Sequence, residues 1–418
     1  MNSPVTEPTD TLPMMSNSKP GMFGKLLAQQ LSKLEVGTLQ IHTPNKTYQY
    51  GTGGEGNLSA SLLVKNNDFF RKAVLGGSLG VADSYADGDW DTPDMVKLFR
   101  LFLQNQKVMD DMEGGIATLL NKLAMCSYQL FQKNTVEGSR KNISLHYDLG
   151  NRFYQLMLDP TMTYSCGIFE KPESTLKEAS LAKYDRIIDQ LDIQPHHHVL
   201  EIGCGWGGFA SRLAERTQAK LTATTISQKQ FHYALKRMEN ERAGSQVAII
   251  KEDYRKLEGK FDRIVSIEMI EAVGHEYLPA YFSKISDLLK PSGAAMIQGI
   301  TMPDHRYERY LKKVDYIRTR VFPGSCVPSV SAMIAAATKE TDLRPLDLHD
   351  IGSHYTRTLY EWRQQFEENE DRIESLGYDE HFRRYWEYYL CYCEAGFAEG
   401  YTSNVHLLLS KPDCQLKK

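Results

Sequence analysis

No run in this 418-residue sequence approaches the roughly 20 consecutive apolar residues that a helix needs to cross a bilayer. The first residues, MNSPVTEPTDTLPMMSNSKPG, lack the basic start and apolar core of a secretory signal. Their Ser, Thr, Pro and Asn content reads as a disordered arm over 1–20. Bulk positive charge is missing too: a formal net charge of −4 argues against a nucleic-acid partner. Seven cysteines, an odd number in a long chain, read as reduced thiols in a cytoplasm. Cys391 and Cys393 form a C-x-C, yet no second pair has zinc-like spacing. His196, His197 and His198 follow Pro195 and read as a polar turn, so no metal is expected.

What is present suits a globular protein: 41% hydrophobic residues and 24% charged ones. The length exceeds one compact core and predicts a large domain with a smaller one. Residues 21–128 read as the smaller, mainly helical N-terminal domain. There FGKLLAQQLSKL places Phe23, Leu26, Leu27, Leu31 and Leu34 on one helical face, and GTLQIHTPNKTYQYGTG suggests a short hairpin. Polar, basic FQKNTVEGSRKN supplies a linker over 129–142, and a catalytic domain occupies 143–418.

In that second domain, strands and helices alternate. HVLEIGCG, KLTATTI, QVAIIKEDY, FDRIVSIEMI and PSGAAMIQGITM read as strands with helical segments between them, and NVHLLLSKP as a last strand. Helical crossovers imply a parallel sheet covered on both faces, with ligands beyond the carboxyl ends of its strands. Thr175 and Glu178 form a capping-box pair before one helix. After the first strand comes G-x-G-x-G, with Glu201 two residues before Gly203. A dinucleotide site prefers G-x-G-x-x-G and an acid ending the second strand, whereas TATTIS offers none. The acid-before-glycine form looks like the signature of S-adenosylmethionine (SAM) methyltransferases. The fourth strand poses its own question, because IVSIEMIEAVGHEY ends an apolar run on Glu268 and Glu271. Unpaired carboxylates are very costly to bury, so the crevice at the strand end is the place they fit.

Several stretches together carry a more specific resemblance: GGSLGVADSYADGDWD, ISLHYDLGNRFYQLMLDPTMTYSCGIF, VLEIGCGWGGFA, EDYRKLEGKFDRIVSIEMIEAVG, FPGSCVPS and IGSHYTRTL. In order and over most of the chain, the sequence resembles the cyclopropane fatty acid synthases, including the mycolic acid cyclopropane synthases. The resemblance implies an α/β, Rossmann-like SAM-dependent methyltransferase fold with a mostly parallel seven-stranded sheet. It implies methylene transfer from SAM to a cis double bond of an unsaturated phospholipid acyl chain, through a carbocation. That chemistry needs an apolar slot, aromatic faces toward the cation, and a base in a site dry enough to protect it.

In the family the base is a bicarbonate. Carried over residue by residue, Cys166, Glu271 and Tyr355 match its ligands, and Gln298 stands where a histidine is frequent. Glu271 would position the base and hold negative charge near the cation. Glu268 replaces a common glycine and Ala272 a common histidine, which looks closer to the plant-type branch. For SAM the resemblance implies Tyr164 and Ser165, Gly203 and Gly205, Thr225 and Gln230, and Tyr254 beside the adenine. It also implies a homodimer, and a cytoplasmic enzyme in peripheral contact with the inner membrane surface. The basic stretch 304–320, with Arg306, Arg309, Lys312, Lys313, Arg318 and Arg320, is a candidate for that contact or a solvated helix face. Two alternatives stay open. One is a SAM-dependent methyltransferase that leaves a methyl branch or acts on a small amine; the other is an inactive lipid-binding scaffold.

Overall fold

The structure is a computed structural model and describes residues 21–53, 58–106, 149–313 and 315–416. The arm over 1–20, the linker over 129–142 and the boundary at 128 lie outside the described residues.

Seven strands form the main sheet: β5 (His198–Ile202), β6 (Lys220–Thr224), β7 (Val247–Ile250), β8 (Phe261–Ile267), β9 (Leu289–Thr301), β10 (Arg344–Asp350) and β11 (Ser403–Ser410). Their spatial order is β10-β11-β9-β8-β5-β6-β7. Pairings among β5 to β9 are parallel, and β11 joins β9 and β10 antiparallel. Apolar residues cover both faces, one core running through Val199, Phe209, Leu213 and Val265 and the other through Leu200, Ile264, Phe282 and Leu407. Double coverage explains why these strands read as continuous apolar runs and not as alternating ones.

From β5 the chain first builds outward through β6 to β7, then returns to β5's other side for β8 and β9. The strand order therefore reverses between β5 and β8, and the crevice at their carboxyl ends is the switch point where α/β sheets bind ligands. The glycine loop leaves β5 there, and Glu268 leaves β8 beside it.

The fourth strand ends three residues earlier than FDRIVSIEMI suggests. Glu268 adopts φ 47°, a left-handed conformation that a side chain rarely takes, and a 3-10 turn over Ile270–Ala272 follows. A residue so turned cannot extend the ladder, so β8 stops at Ile267.

Before the main sheet lie helices Met22–Leu31, Asp68–Ala86 and Met95–Gln104. The expected hairpin is β1 (Thr38–Thr43) with β2 (Lys46–Tyr50), and β3 (Ser59–Val64) and β4 (Trp90–Asp91) extend it to a small sheet ordered β2-β1-β3-β4. The aromatic run HFRRYWEYYLCYCEAGF lies in the helix Glu380–Ala398, which joins the two parts of the chain. Tyr388 meets Phe99 edge-on at 4.9 Å, and Arg384 donates to the carbonyls of Tyr85 and Trp90. Arg100 pairs with Glu399 at 2.6 Å. A single hydrophobic core consequently runs from Leu27 to Phe397.

Candidate active site

The loop after β5 turns on Gly203, Gly205 and Gly207, all at positive φ, and the Gly203 and Cys204 N–H groups donate to the Thr224 carbonyl at 2.9 Å. Glycine is needed for different reasons along it. A side chain at Gly203 would press on Met269, whereas at Gly205 it would project into open space, where a ligand can approach the backbone. Opposite this loop runs the segment 161–168, which Asp159 ties down by accepting from the Thr161 N–H at 2.8 Å and hydroxyl at 2.9 Å.

Between them opens a cavity of about 290 Å³. All seven residues assigned to SAM line it: Tyr164, Ser165, Gly203, Gly205, Thr225, Gln230 and Tyr254. Thr225 donates to Gln230 Oε1 at 2.9 Å, which leaves the Gln230 amide group oriented by a buried partner. Ser165 Oγ accepts from Lys183 Nζ at 2.6 Å. Lys183 is buried without exposure, and burial lowers its pKa to about 8. Tyr254 is held edge-on by Tyr281 at 5.5 Å.

Glu201 also lines the cavity, with its Oε2 unpartnered, and burial raises its pKa to about 8. Glu252 and Asp253 add two more acids to the lining. A buried orphan carboxylate oxygen, a glycine loop open to close approach and this acidic lining all fit a cationic ligand such as SAM. When bound, SAM supplies an electrophilic methyl group.

The other end of the cavity is apolar and aromatic, with Ile300, Ile317, Phe322, Leu359, Tyr389 and Phe397. Phe322 meets Tyr389 at 6.0 Å, and Tyr164 stacks obliquely on Trp362 at 5.0 Å. Such rings present electron-rich faces to a cation while excluding water.

Three of the four residues assigned to the reaction, Cys166, Gln298 and Tyr355, converge, but on a centre different from the one expected. Glu268 Oε1 accepts from the Cys166 N–H at 2.9 Å, Gln298 Nε2 at 2.8 Å and Asn404 Nδ2 at 2.7 Å. Its Oε2 accepts from the Tyr355 hydroxyl at 2.7 Å. Cys166, Gln298 and Tyr355 are thus together, and the ligand they hold is a carboxylate of the chain itself. Their donors do not fit a bicarbonate in addition. An anion there would have to displace Glu268 and then sit, desolvated, among buried acids. Cys166 contributes its backbone N–H, while its thiol is fully buried and donates to the Gly167 carbonyl at 3.3 Å.

Glu271 lines the same cavity but does not join this cluster. Its Oε1 accepts from the Ile300 N–H at 2.5 Å and its Oε2 is buried without a partner. Burial, with the charge of Glu268 added, raises its pKa to about 8. Burial thus favours the protonated form of Glu271, and it is Glu268 that the donors of Cys166, Gln298, Tyr355 and Asn404 meet.

Asn404, His406 and Lys183 had no part in the sequence reading. The first two were detectable as polar residues two apart, hence on one face, in the apolar strand NVHLLL. His406 pairs with Gln298 across β11 and β9, so an imidazole stands one strand away from the position where the resemblance puts one.

The profile described as Mycolic acid cyclopropane synthetase matches residues 134–407. The chain belongs to this family. As a member of the mycolic acid cyclopropane synthetase family it is a SAM-dependent transferase. Curated relatives include the tuberculostearic acid methyltransferase UfaA1 of Mycobacterium tuberculosis, 35% identical over 84% of this chain and 83% of its own. The cyclopropane-fatty-acyl-phospholipid synthase of Escherichia coli is 35% identical over 83% of this chain and 87% of its own. Among solved structures, the mycolic acid cyclopropane synthase CmaA1 complexed with SAH and CTAB matches with a TM-score of 0.61 and 30% identity, over 65% of this chain and 98% of that one.

Proposed function

We propose that this enzyme adds a methylene from SAM across a cis double bond of an unsaturated phospholipid acyl chain, giving a cyclopropane. The observation that carries the reading is the joining, in one cavity, of an acidic glycine-loop end to an aromatic, apolar end, with Glu268 and Tyr355 also in its lining. The alkene is the electron donor in this reading, so the walls need no strong nucleophile. The rings of Tyr164, Phe322 and Tyr389 stabilise positive charge on the acyl chain and keep water from it. Tyr355 and Gln298 hold Glu268 in place beside the reacting carbon.

Contact with the membrane surface and a homodimer belong to the same reading. Among the described residues no helix is long and apolar enough to cross a membrane. Much of the basic stretch is drawn into the fold: Arg318 donates to the Tyr310 and Lys313 carbonyls, Arg320 pairs with Asp83, and Arg306 stacks on Tyr401. That leaves helix Met22–Leu31, where Met22 and Leu26 are exposed, as the better supported lipid contact. The edge strand β10, exposed at Leu346 and Leu348, supports pairing between two copies.

The test is incubation of the purified enzyme with SAM and vesicles of monounsaturated phosphatidylglycerol and phosphatidylethanolamine, followed by mass spectrometry and NMR of the released acyl chains. Gain of one CH2 with ring protons in the NMR spectrum is the expected result. A product two hydrogens heavier, or an exocyclic methylene, would instead establish the methyl-branching or methylene alternative.

A further inference from the structure

We infer that the carboxylate of Glu268 is the proton acceptor of the reaction, built into the chain in the place where the resemblance puts a free bicarbonate. The inference rests on the proposed lipid reaction and adds the identity of its base.

Three observations converge on it. The first is the donor set. Of the four residues assigned to a small oxyanion, Cys166 through its backbone N–H, Gln298 through its amide and Tyr355 through its hydroxyl all donate to Glu268, Glu271 stands apart, and Asn404 supplies a fourth donor. Donors come from four separate segments of the chain, which is far more than a surface carboxylate would gather. The second is the backbone. Residue 268 sits at φ 47°, and only four residues other than glycine among the described ones have positive φ. Holding a side chain in that region costs on the order of 1–3 kcal/mol, and it persists where surrounding structure over-determines it. Met162, another of the four, lines the same cavity. The third is location. Glu268 lines the cavity together with Tyr164, Ser165 and Gly203, three of the residues assigned to the methyl donor.

The chemistry balances without a further reactant. The alkene's π pair forms a bond to the donated methyl carbon, the carbon–sulfur pair stays with sulfur, and a cation remains on the neighbouring acyl carbon. Glu268 then removes a proton from the transferred carbon, and the freed C–H pair closes the ring on the cationic carbon. The carboxylic acid so formed returns its proton to solvent before the next cycle. A proton next to a carbocation is strongly acidic, so a weak base suffices. Four hydrogen bonds also blunt the carboxylate as a nucleophile, which disfavours its capture of the cation as an ester. A tethered base needs no binding step of its own, and its position is paid for during folding.

The test compares wild type, Glu268→Gln and Glu268→Gly in buffer stripped of carbon dioxide, with and without added bicarbonate. SAM binding by calorimetry checks that each variant retains its site. Binding of 13C-labelled bicarbonate, followed by NMR, needs no turnover and reads the donor set directly. Wild type should bind no labelled bicarbonate and turn over at the same rate with or without it. Glu268→Gln should lose on the order of a hundredfold in turnover with SAM binding kept. Glu268→Gly, which leaves the donors vacant and accepts the φ, should bind bicarbonate and recover activity when it is added. Saturable bicarbonate binding by wild type, bicarbonate-dependent wild-type turnover, or a fully active Glu268→Gln would each overturn the inference. Absence of wild-type turnover on any phospholipid would overturn the lipid reading alone, since the labelled-bicarbonate comparison still decides what occupies the donor set.

Discussion

His406 and Gln298 face each other on β11 and β9, with His406 Nε2 and Gln298 Oε1 3.0 Å apart. An amide oxygen only accepts, so the imidazole carries its proton on Nε2 and donates it to Gln298. That contact determines which end of the amide reaches Glu268, because the Gln298 NH2 group is turned toward the carboxylate. Burial, helped by the charges of Arg186 and Lys183, lowers the His406 pKa to about 3, so the ring is neutral at any working pH. An uncharged histidine thus acts on the cluster through an amide.

His406→Leu removes the donor and frees the amide to turn. A lost buried hydrogen bond of about 1–1.5 kcal/mol corresponds to a fall in kcat of roughly tenfold. The SAM dissociation constant should stay unchanged, because His406 touches none of the cofactor residues. Since the ring does not titrate between pH 6 and 8, the loss should be equal across that range, and His406→Gln, which restores a donor, should recover part of it. A loss that varies with pH would mean that the imidazole itself ionises during the cycle.

Glu271→Gln tests the second acid. The folded enzyme raises this pKa from its ordinary 4.5 to about 8, mainly by burial and then by the charge of Glu268. The protonated form is the one the fold favours. Its contribution to stability is therefore complete below pH 4.5 and is lost as pH rises through 8. Glutamine is the neutral isostere and does not titrate. The melting temperature of the variant relative to wild type should consequently climb between pH 5 and 9, by a few degrees at about 1.4 kcal/mol per pKa unit. A difference that is flat with pH would show that Glu271 is ionised throughout.

The sheet and its helices were readable because their signals are local: apolar runs of strand length, a glycine loop, and the Thr175–Glu178 cap, which forms both of its bonds. That the residues expected to hold SAM would share one cavity wall was readable for a similar reason, since the motif stretches each contribute a few adjacent residues. The Glu268 cluster was not. Glu268 and Glu271 are three residues apart in one apolar strand, and nothing in that spacing says which one meets the donors. The decision comes from the left-handed turn at Glu268 and from Asn404, which lies 136 positions along the chain. The hairpin of the small N-terminal sheet was readable, but its edge strand β4 was not, because it is two residues long and exists only through its pairing with β3.

Cys166→Ser separates a backbone role from a thiol role. The Cys166 N–H serves Glu268, while the thiol points to the carbonyls of Gly167 and Ile351 at 3.3 and 3.6 Å. Burial raises the thiol pKa well above its ordinary range, so it is neither nucleophile nor base. A serine hydroxyl can donate to the same carbonyls, so kcat should stay within about threefold and stability should fall by about 1 kcal/mol. Alkylating reagents should leave Cys166 unmodified in the folded enzyme, as detected by peptide mass spectrometry. Loss of SAM binding in Cys166→Ser would assign the sulfur a role in shaping the cofactor wall.

Glu201 gives the cofactor site a pH dependence of defined sign. Burial raises its pKa to about 8, with Lys183 pulling the other way, and its Oε2 has no protein partner. A cationic ligand beside that oxygen favours the ionised form, so SAM binding should release a proton from Glu201 below pH 8. Affinity should therefore strengthen as pH rises from 6 and level off above 8, whereas Glu201→Gln should bind more weakly and lose the slope. SAM's own ionisation is common to both proteins and cancels in the comparison. Calorimetry at pH 6.5 in buffers of different ionisation enthalpy counts the released protons directly. Equal proton release by wild type and Glu201→Gln would show that the acid before the glycine loop stays neutral when the cofactor binds, leaving Glu252 and Asp253 as the acids that meet its charge.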